Sequence, residues 1–166
     1  RDNCRKILPW TEETKKDLIK KFPEVKNKTE VVYPVVDIPS VKRKNHKNIN
    51  LLFIGRYFYM KGGLHALETM DRLTKNHENV RGIFISPVPE KIKEKYKKNN
   101  KIKIYDLLPQ EKLFNEIYPI SDIFLYPGYS DSFGFAIPEV MGMGIPVVSV
   151  DISTRDEIIT DRKNGY

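Results

Sequence analysis

The feature that most constrains the fold of this chain is a regular alternation of short apolar runs and helix-like segments from residue 48 onward. The run Ile49–Ile54 is almost wholly apolar and ends at Gly55, which is typical of a strand buried on both faces. This alternation predicts an α/β fold, a Rossmann-like doubly wound parallel sheet with helices on both faces. Further strands are expected at 80–86, 102–105, 122–126 and 146–150, and helices at 63–73, 90–98, 110–117, 135–143 and 153–159.

Residues 1–47 have a different pattern. An amphipathic helix is expected over 11–22, with acidic residues in its first turn and lysines in its last, and a strand over 30–33 ended by Pro34. Residues 1–47 are therefore expected to lie outside the Rossmann-like domain, which begins at residue 48. Ser153 and Thr154 are expected to cap the last helix.

Composition excludes several classes of protein. The chain has 166 residues, of which 40% are hydrophobic and 31% charged, as in a folded globular protein. No apolar run approaches the roughly 20 residues that span a bilayer. The single cysteine, Cys4, cannot form an internal disulfide, and no Cys/His cluster has metal-ligand spacing. A cytoplasmic protein is expected, with a peripheral position at the cytoplasmic face of a membrane as the alternative.

The charge balance favours anionic partners. The 29 Lys and Arg residues against 22 Asp and Glu give a net charge of +7, and basic residues cluster at 41–48 and 91–103. One interpretation is a non-catalytic basic module that binds nucleic acid or an acidic membrane through these stretches. The other interpretation is that 41–48 is a solvated linker and that 91–103 forms the solvent-exposed face of a helix and the turn after it.

The loop after the first strand has the composition of a diphosphate-binding turn. Gly55 closes the strand, Arg56 follows, and Lys61 precedes two glycines that open a helix. An arginine can bind a diphosphate through two parallel guanidinium N–H groups, and a lysine can bind it through its compact ammonium charge. Ligands of parallel sheets lie beyond the carboxyl ends of the strands, where this loop is expected. An ordinary turn with a surface arginine and lysine is the alternative.

A second loop carries two carboxylates eight residues apart, Asp131 and Glu139. Pro138 is tolerated there because it falls in the first turn of the helix that follows. Free backbone amides around Phe133 and its neighbours offer an anion cradle, and carboxylates accept bonds from sugar hydroxyls. The pattern thus favours a ligand with a phosphate and a polyol. Otherwise Asp131 caps the turn and Glu139 is a solvated helix residue.

The segments GRYFYMKGG and DSFGFAIPEVMGMGIPVVS resemble the two signatures of the C-terminal, donor-binding domain of retaining GT-B glycosyltransferases of family four, also called glycosyl transferases group 1. The usual second signature is Glu-x7-Glu, whereas this chain has Asp131, one methylene shorter, before Glu139. Ser153, Thr154 and Arg155 stand where a small, glycine-rich turn is frequent. Residues 1–47 are similar to the stretch that joins the two domains of the family. The resemblance therefore implies that 1–47 is an interdomain connecting segment and that 48–166 is a Rossmann-like nucleotide-sugar-binding domain, truncated at its C-terminus.

The resemblance implies one half of a GT-B architecture. The full-length enzyme would be a hexosyltransferase that moves mannose, glucose or a similar sugar from a nucleoside-diphosphate sugar to a glycan, lipid or other acceptor. The fragment alone is expected to be inactive. The catalytic residues would be Arg56, Lys61 and Asp131. The donor would also be bound by Gly55, Ser132, Phe133, Gly134, Phe135 and Glu139, and its base would lie near Tyr105, Leu107 and Leu108.

The resemblance also implies the partners. No Asp-x-Asp motif is present, so the UDP-, GDP- or ADP-sugar is expected to bind without a metal and no cofactor is expected. An N-terminal acceptor-binding domain of the same chain would be the protein partner. Peripheral contact with an acidic membrane is a further expectation, and nucleic acid is not. A GT-B-fold sugar-nucleotide epimerase is an alternative within the same fold.

Overall fold

The computed structural model describes residues 3–151 and 153–166, apart from the side chains of 153 and 154. The chain forms five parallel strands: β1 (Ile49–Ile54), β2 (Val80–Ile85), β3 (Ile102–Tyr105), β4 (Ile123–Tyr126) and β5 (Val147–Ser149). They make one sheet in the order β3-β2-β1-β4-β5. The predicted Rossmann-like parallel sheet is therefore confirmed.

Strand β1 lies at the centre of the sheet. Ile49 to Ile54 pair in register with Val80 to Ile85 of β2, and on the other side Leu51 pairs with Ile123 of β4. Leu52 and Phe53 are fully buried although they point to opposite faces, because helices cover both. This is why the run is apolar throughout instead of alternating.

The helices divide between the two faces. The α-helices are α1 (Glu12–Lys21), α2 (Gly63–Asn76), α3 (Glu90–Tyr96), α4 (Gln110–Lys112) and α5 (Ala136–Gly142). On one face α2 and α3 pack over Phe53 and Phe84, and on the other the segment 110–120 and α5 pack over Leu52 and Phe124. Turns of 3-10 helix lie at Pro23–Lys28, Tyr118–Ile120 and Ser153–Glu157. Among the described residues, no helix is long and apolar enough to cross a membrane.

Three local predictions are wrong. The segment 110–117 is not one α-helix, because α4 passes into a π-helical turn at Leu113–Ile117 that turns Phe114 and Ile117 toward the core. Residues 30–33 form no strand of the sheet. They run beside residues 7–9, with Val32 N donating to Pro9 O at 3.0 Å, and their side chains are exposed except for that of Val31, which is half-buried.

The third difference lies after β5. The predicted helix over 153–159 is a 3-10 turn that ends at Glu157. The capping role predicted for the Ser153 and Thr154 side chains falls outside the described residues. The domain boundary at residue 47 stays a prediction, although β1 begins two residues beyond it.

Helix α1 is attached to this turn by Glu157. Glu157 Oε2 accepts from the backbone amide of Glu12 at 2.8 Å and Oε1 from that of Glu13 at 3.0 Å. The Tyr33 hydroxyl also donates to Oε2, at 2.9 Å. Burial alone would raise the pKa of Glu157, but these three donors outweigh it and lower that pKa below 4.5. One carboxylate thus joins the N-terminal segment to the loop after β5.

We predict that Glu157→Gln lowers the free energy of unfolding by about 1–2 kcal/mol at pH 7. A group whose pKa is lowered by folding stabilises the protein above its unfolded-state pKa. That stabilisation is lost as the pH falls through the folded-state value. The difference between wild type and variant should therefore shrink below pH 4.5. Denaturant titrations at neutral and acidic pH measure it.

Glu116→Gln is the matched control, because the Glu116 side chain is 59% exposed and lies 3.8 Å from Lys112. Its effect should stay within about 0.5 kcal/mol at either pH. A Glu157→Gln penalty that is the same at both pH values would contradict a role for the carboxylate charge at α1.

Candidate functional site

The two predicted site loops meet where the sheet order reverses. β1 lies between β2 and β4, so the connections after β1 and β4 leave the sheet on either side of this point. Gly62, with φ +70°, packs directly against Pro127, and a Cβ at Gly62 would clash with the Pro127 carbonyl oxygen. The loop after β1 and the loop after β4 therefore form one wall.

Lys61 and Asp131 are in contact across this wall. Lys61 Nζ donates to Asp131 Oδ1 and, at 2.8 Å, to the carbonyl oxygen of Ser130. Gly55 permits the approach, because its Cβ would lie 2.8 Å from Lys61 Cβ. The lysine and the carboxylate that the sequence places 70 residues apart thus belong to one cluster.

Arg155 is the third charged member of the cluster, and the sequence analysis did not predict it. Its Nη2 lies 3.3 Å from Asp131 Oδ2, and its side chain is only 3% exposed. Its Cζ lies 5.1 Å from the centroid of the Tyr126 ring. Nε and Nη1 of Arg155 have no hydrogen-bond partner among the described residues. In the sequence, Arg155 was notable only because it stands in a turn that is often glycine-rich in the family that the two motifs resemble.

The last residue of β4, Tyr126, completes the floor of the cluster. Burial, together with the negative charge of Asp131, raises the pKa of Tyr126. Its hydroxyl therefore stays protonated at neutral pH. The ring offers Arg155 a flat face, and this contact adds to the attraction of the carboxylate.

Glu139 lies in the first turn of α5 and is not a solvated helix residue. It is 9% exposed, and both carboxylate oxygens are held. Gln110 Nε2 donates to Oε1 at 2.9 Å, and the Tyr118 hydroxyl donates to Oε2 at 2.8 Å. Burial, followed by the charge of Glu139, raises the pKa of Tyr118, so this hydroxyl remains a donor. Sequence reasoning missed both partners.

A cavity of about 550 Å³ opens beside Glu139. Its wall includes Gln110 and Phe135 together with residues 35–37 and Pro39. Glu139 thus combines a fixed orientation with access to a volume that suits a small polar molecule.

The loop between the two carboxylates bends at Gly134, whose φ is +82°. Phe133 is buried, whereas Ser132 and Phe135 are exposed. None of the described residues accepts a hydrogen bond from the backbone amides of Phe133, Gly134 and Phe135. A Cβ at Gly134 would lie 3.6 Å from Asp131 Cγ, which places this part of the loop beside the charged cluster.

Other predicted residues lie outside the cluster. Arg56 is exposed, and the structure describes no ion pair for it. Tyr105 is the last residue of β3, Leu107 is 43% exposed, and Leu108 packs against the core from a half-buried position. Their assignment to the base of a nucleotide stays a prediction.

The basic stretch 41–48 packs partly against the domain. Arg43 Nη2 donates to the Ser121 carbonyl oxygen at 2.6 Å and pairs with Asp122 at 2.9 Å. Lys44 Nζ donates to Asn115 O at 3.0 Å. These contacts favour a structural role for both cations over a surface for nucleic acid.

No group of three or more His, Cys, Asp or Glu side chains in the described part of the chain is arranged to hold a metal ion. Asp131 has two cations as partners, and Glu139 has two neutral donors. The arrangement can therefore bind an anion beside a molecule rich in hydroxyl groups.

The family model described as glycosyl transferases group 1 matches residues 35–166. The chain is 27% identical over 154 residues to an uncharacterized 41.2 kDa protein in the cps region of Klebsiella pneumoniae, covering 84% of this chain and 41% of that protein. It is 25% identical over 162 residues to an uncharacterized glycosyltransferase of Methanocaldococcus jannaschii, covering 89% of this chain and 40% of the relative. The chain thus spans about two fifths of the length of these relatives.

Solved structures show the same fold. The pneumococcal O-GlcNAc transferase GtfA, crystallised with UDP and GlcNAc, superposes with a TM-score of 0.80 at 19% identity. The match covers 99% of this chain and 34% of that one.

Proposed function

Because the chain belongs to the glycosyl transferases group 1 family and has the fold of one half of a GT-B enzyme, we propose that it is the donor-binding domain of a retaining hexosyltransferase. The donor is a nucleoside-diphosphate sugar. A UDP-sugar is favoured, since the similar pneumococcal enzyme was crystallised with UDP.

The main support for this proposal is the contact of Lys61 and Arg155 with Asp131 at the carboxyl ends of β1 and β4. Lys61 binds the diphosphate, and Asp131 accepts from hydroxyls of the donor sugar. The unpaired amides of Phe133 and Gly134 lie beside them and support the distal phosphate or the sugar. The cations that bind phosphate are thus adjacent to the carboxylate that binds the sugar, as the direct bond between sugar and diphosphate in the donor requires.

Glu139 binds the ribose hydroxyls at the other end of the donor. Its carboxylate is oriented by Gln110 and Tyr118 and still borders the cavity. The base then lies toward the loop after β3, near Leu107 and Leu108.

Transfer depends on stabilising charge on the leaving diphosphate. Negative charge grows there as the bond to the sugar breaks, and fixed cations and amides lower the barrier when they face that charge. Lys61 supplies one cation from the wall, and Arg56 supplies a second from the same loop. These groups take the place of a divalent metal.

The remaining parts of the reaction belong to the rest of the enzyme. A second, N-terminal domain binds the acceptor, and a glycan or lipid is the acceptor class that we propose. The enzyme works in the cytoplasm, where sugar nucleotides are found, with peripheral membrane contact if its acceptor is a lipid. This chain by itself binds the donor without completing transfer.

Calorimetric titration with UDP, GDP and ADP, each in EDTA and in Mg²⁺, tests the proposal. We predict that one of them binds and that its Kd differs by less than about threefold between the two conditions, because Lys61 and backbone amides supply the positive charge. Binding that requires Mg²⁺ would contradict the metal-independent site. No binding of any of the three would contradict the donor-binding function.

A further inference from the structure

We propose that Arg155 is a positioning residue that stays paired with Asp131, so that Lys61 can move from Asp131 to the diphosphate of the donor. This inference rests on the proposed function and adds a residue and an exchange of partners to it. It starts from the fact that two cations bind one carboxylate: Lys61 at Oδ1 and Arg155 at Oδ2.

The two cations differ in burial and in the flexibility of their side chains, although Lys61 also donates to the Ser130 carbonyl oxygen at 2.8 Å. The Arg155 side chain is 3% exposed and that of Lys61 is 14% exposed. Arg155 lies over Tyr126, and its Nη2 is so close to Gly128 that a Cβ there would be 3.2 Å away. Lys61 has a flexible stem and three donor hydrogens on a point charge. Lys61 is therefore the partner that can leave.

The charge of the cluster favours an incoming anion. Lys61, Arg155 and Asp131 together carry one net positive charge in a largely buried place, and Arg155 has two nitrogens without described partners. A buried cation without full compensation is costly. A diphosphate that binds Lys61 supplies negative charge, while Arg155 continues to neutralise Asp131.

Without Arg155, Asp131 would depend on Lys61 alone. The diphosphate would then compete with Asp131 for the same ammonium group, and its affinity would fall. The residue thus acts through Asp131 and Lys61 without touching the donor. This distinguishes it from a third phosphate ligand, whose removal would cost affinity whether or not Asp131 is charged.

A double-mutant cycle between Arg155 and Asp131 makes that distinction. We predict that Arg155→Gln weakens binding of the nucleoside diphosphate about tenfold, as expected for groups in contact. Asp131→Asn, which releases Lys61 but keeps an oxygen for Arg155, should bind it at least as tightly as wild type. Arg155→Gln in the Asp131→Asn background should then lose less than about threefold. Calorimetry with the nucleoside diphosphate that the wild type binds measures all four proteins.

Two variants serve as controls. Arg155→Lys retains the charge and should stay within about threefold of wild type. Arg72→Gln removes a cation from an exposed position near the far end of α2, some 14 Å along the helix from its first residue, and should have no effect. Circular dichroism and thermal unfolding establish that each variant is folded. If Arg155→Gln does not fold, Asp131→Asn decides alone, because weaker binding of the nucleoside diphosphate by Asp131→Asn than by the wild type would overturn the inference.

A tenfold loss that persists in the Asp131→Asn background would overturn this inference and leave the donor site intact. The absence of nucleoside diphosphate binding in the wild type would overturn the proposed function, and this inference with it. A loss of nucleoside diphosphate affinity in Arg155→Gln that Asp131→Asn relieves would support both the proposed function and this inference.

Discussion

Replacing Lys61 with alanine should weaken binding of the nucleoside diphosphate about 100-fold, while the affinity for the nucleoside changes less than about threefold. A hydrogen bond to a charged group contributes about 1.5–3 kcal/mol, and 1.4 kcal/mol corresponds to a factor of ten. The loss should grow with each added phosphate, because Lys61 faces only that end of the ligand. Competition titrations with the nucleoside, monophosphate and diphosphate measure the three affinities.

Lys75→Ala is the matched control. It removes the same ammonium group from the exposed end of α2, where the Lys75 side chain is 65% exposed and pairs with Asp71. This variant should bind all three ligands like the wild type. An equal loss for the nucleoside and the diphosphate in Lys61→Ala would contradict the assignment of Lys61 to the phosphates.

Glu139→Gln should weaken the nucleoside, the monophosphate and the diphosphate by the same factor, about 30-fold. The ribose is common to the three ligands, and a carboxylate is a stronger acceptor for hydroxyl groups than an amide. The substitution keeps the volume of the side chain, and its amide oxygen can still accept from Tyr118 or Gln110. The same series of titrations measures the effect.

Glu111→Gln is the control for this residue, because Glu111 is exposed and borders the same cavity. It should change the three affinities by less than about twofold. A loss of affinity in Glu139→Gln that is seen only with the diphosphate would contradict the assignment of Glu139 to the ribose.

The sheet could be predicted because its determinants are local. The apolar run of β1 and the glycine that ends it indicate a strand covered on both faces, and five short strand-like runs in alternation with helices leave few topologies. The parallel arrangement then places the ends of β1 and β4 together, so the proximity of Lys61 and Asp131 follows from topology and motif order. In the structure the two residues are in contact, which the sequence patterns did not predict.

Partners that depend on tertiary packing could not be predicted. Arg155 reaches Asp131 from a turn 24 residues later, and its burial depends on Tyr126. Tyr118 reaches Glu139 because a π-helical turn precedes it, and the local pattern of 110–117 favoured an ordinary α-helix. The segment 30–33 has strand-forming residues, but its amides bond to residues 7–9 instead of the sheet.

In the function that we propose, one site at the carboxyl ends of β1 and β4 binds both parts of a sugar nucleotide. Amide chemical shifts of the ¹⁵N-labelled protein, recorded during titration with the nucleoside diphosphate that binds, test this. We expect the largest changes at Lys61, at Phe133 to Phe135 and at Glu139. Changes concentrated in the basic stretches 41–48 and 91–103, with the site loops unaffected, would contradict it.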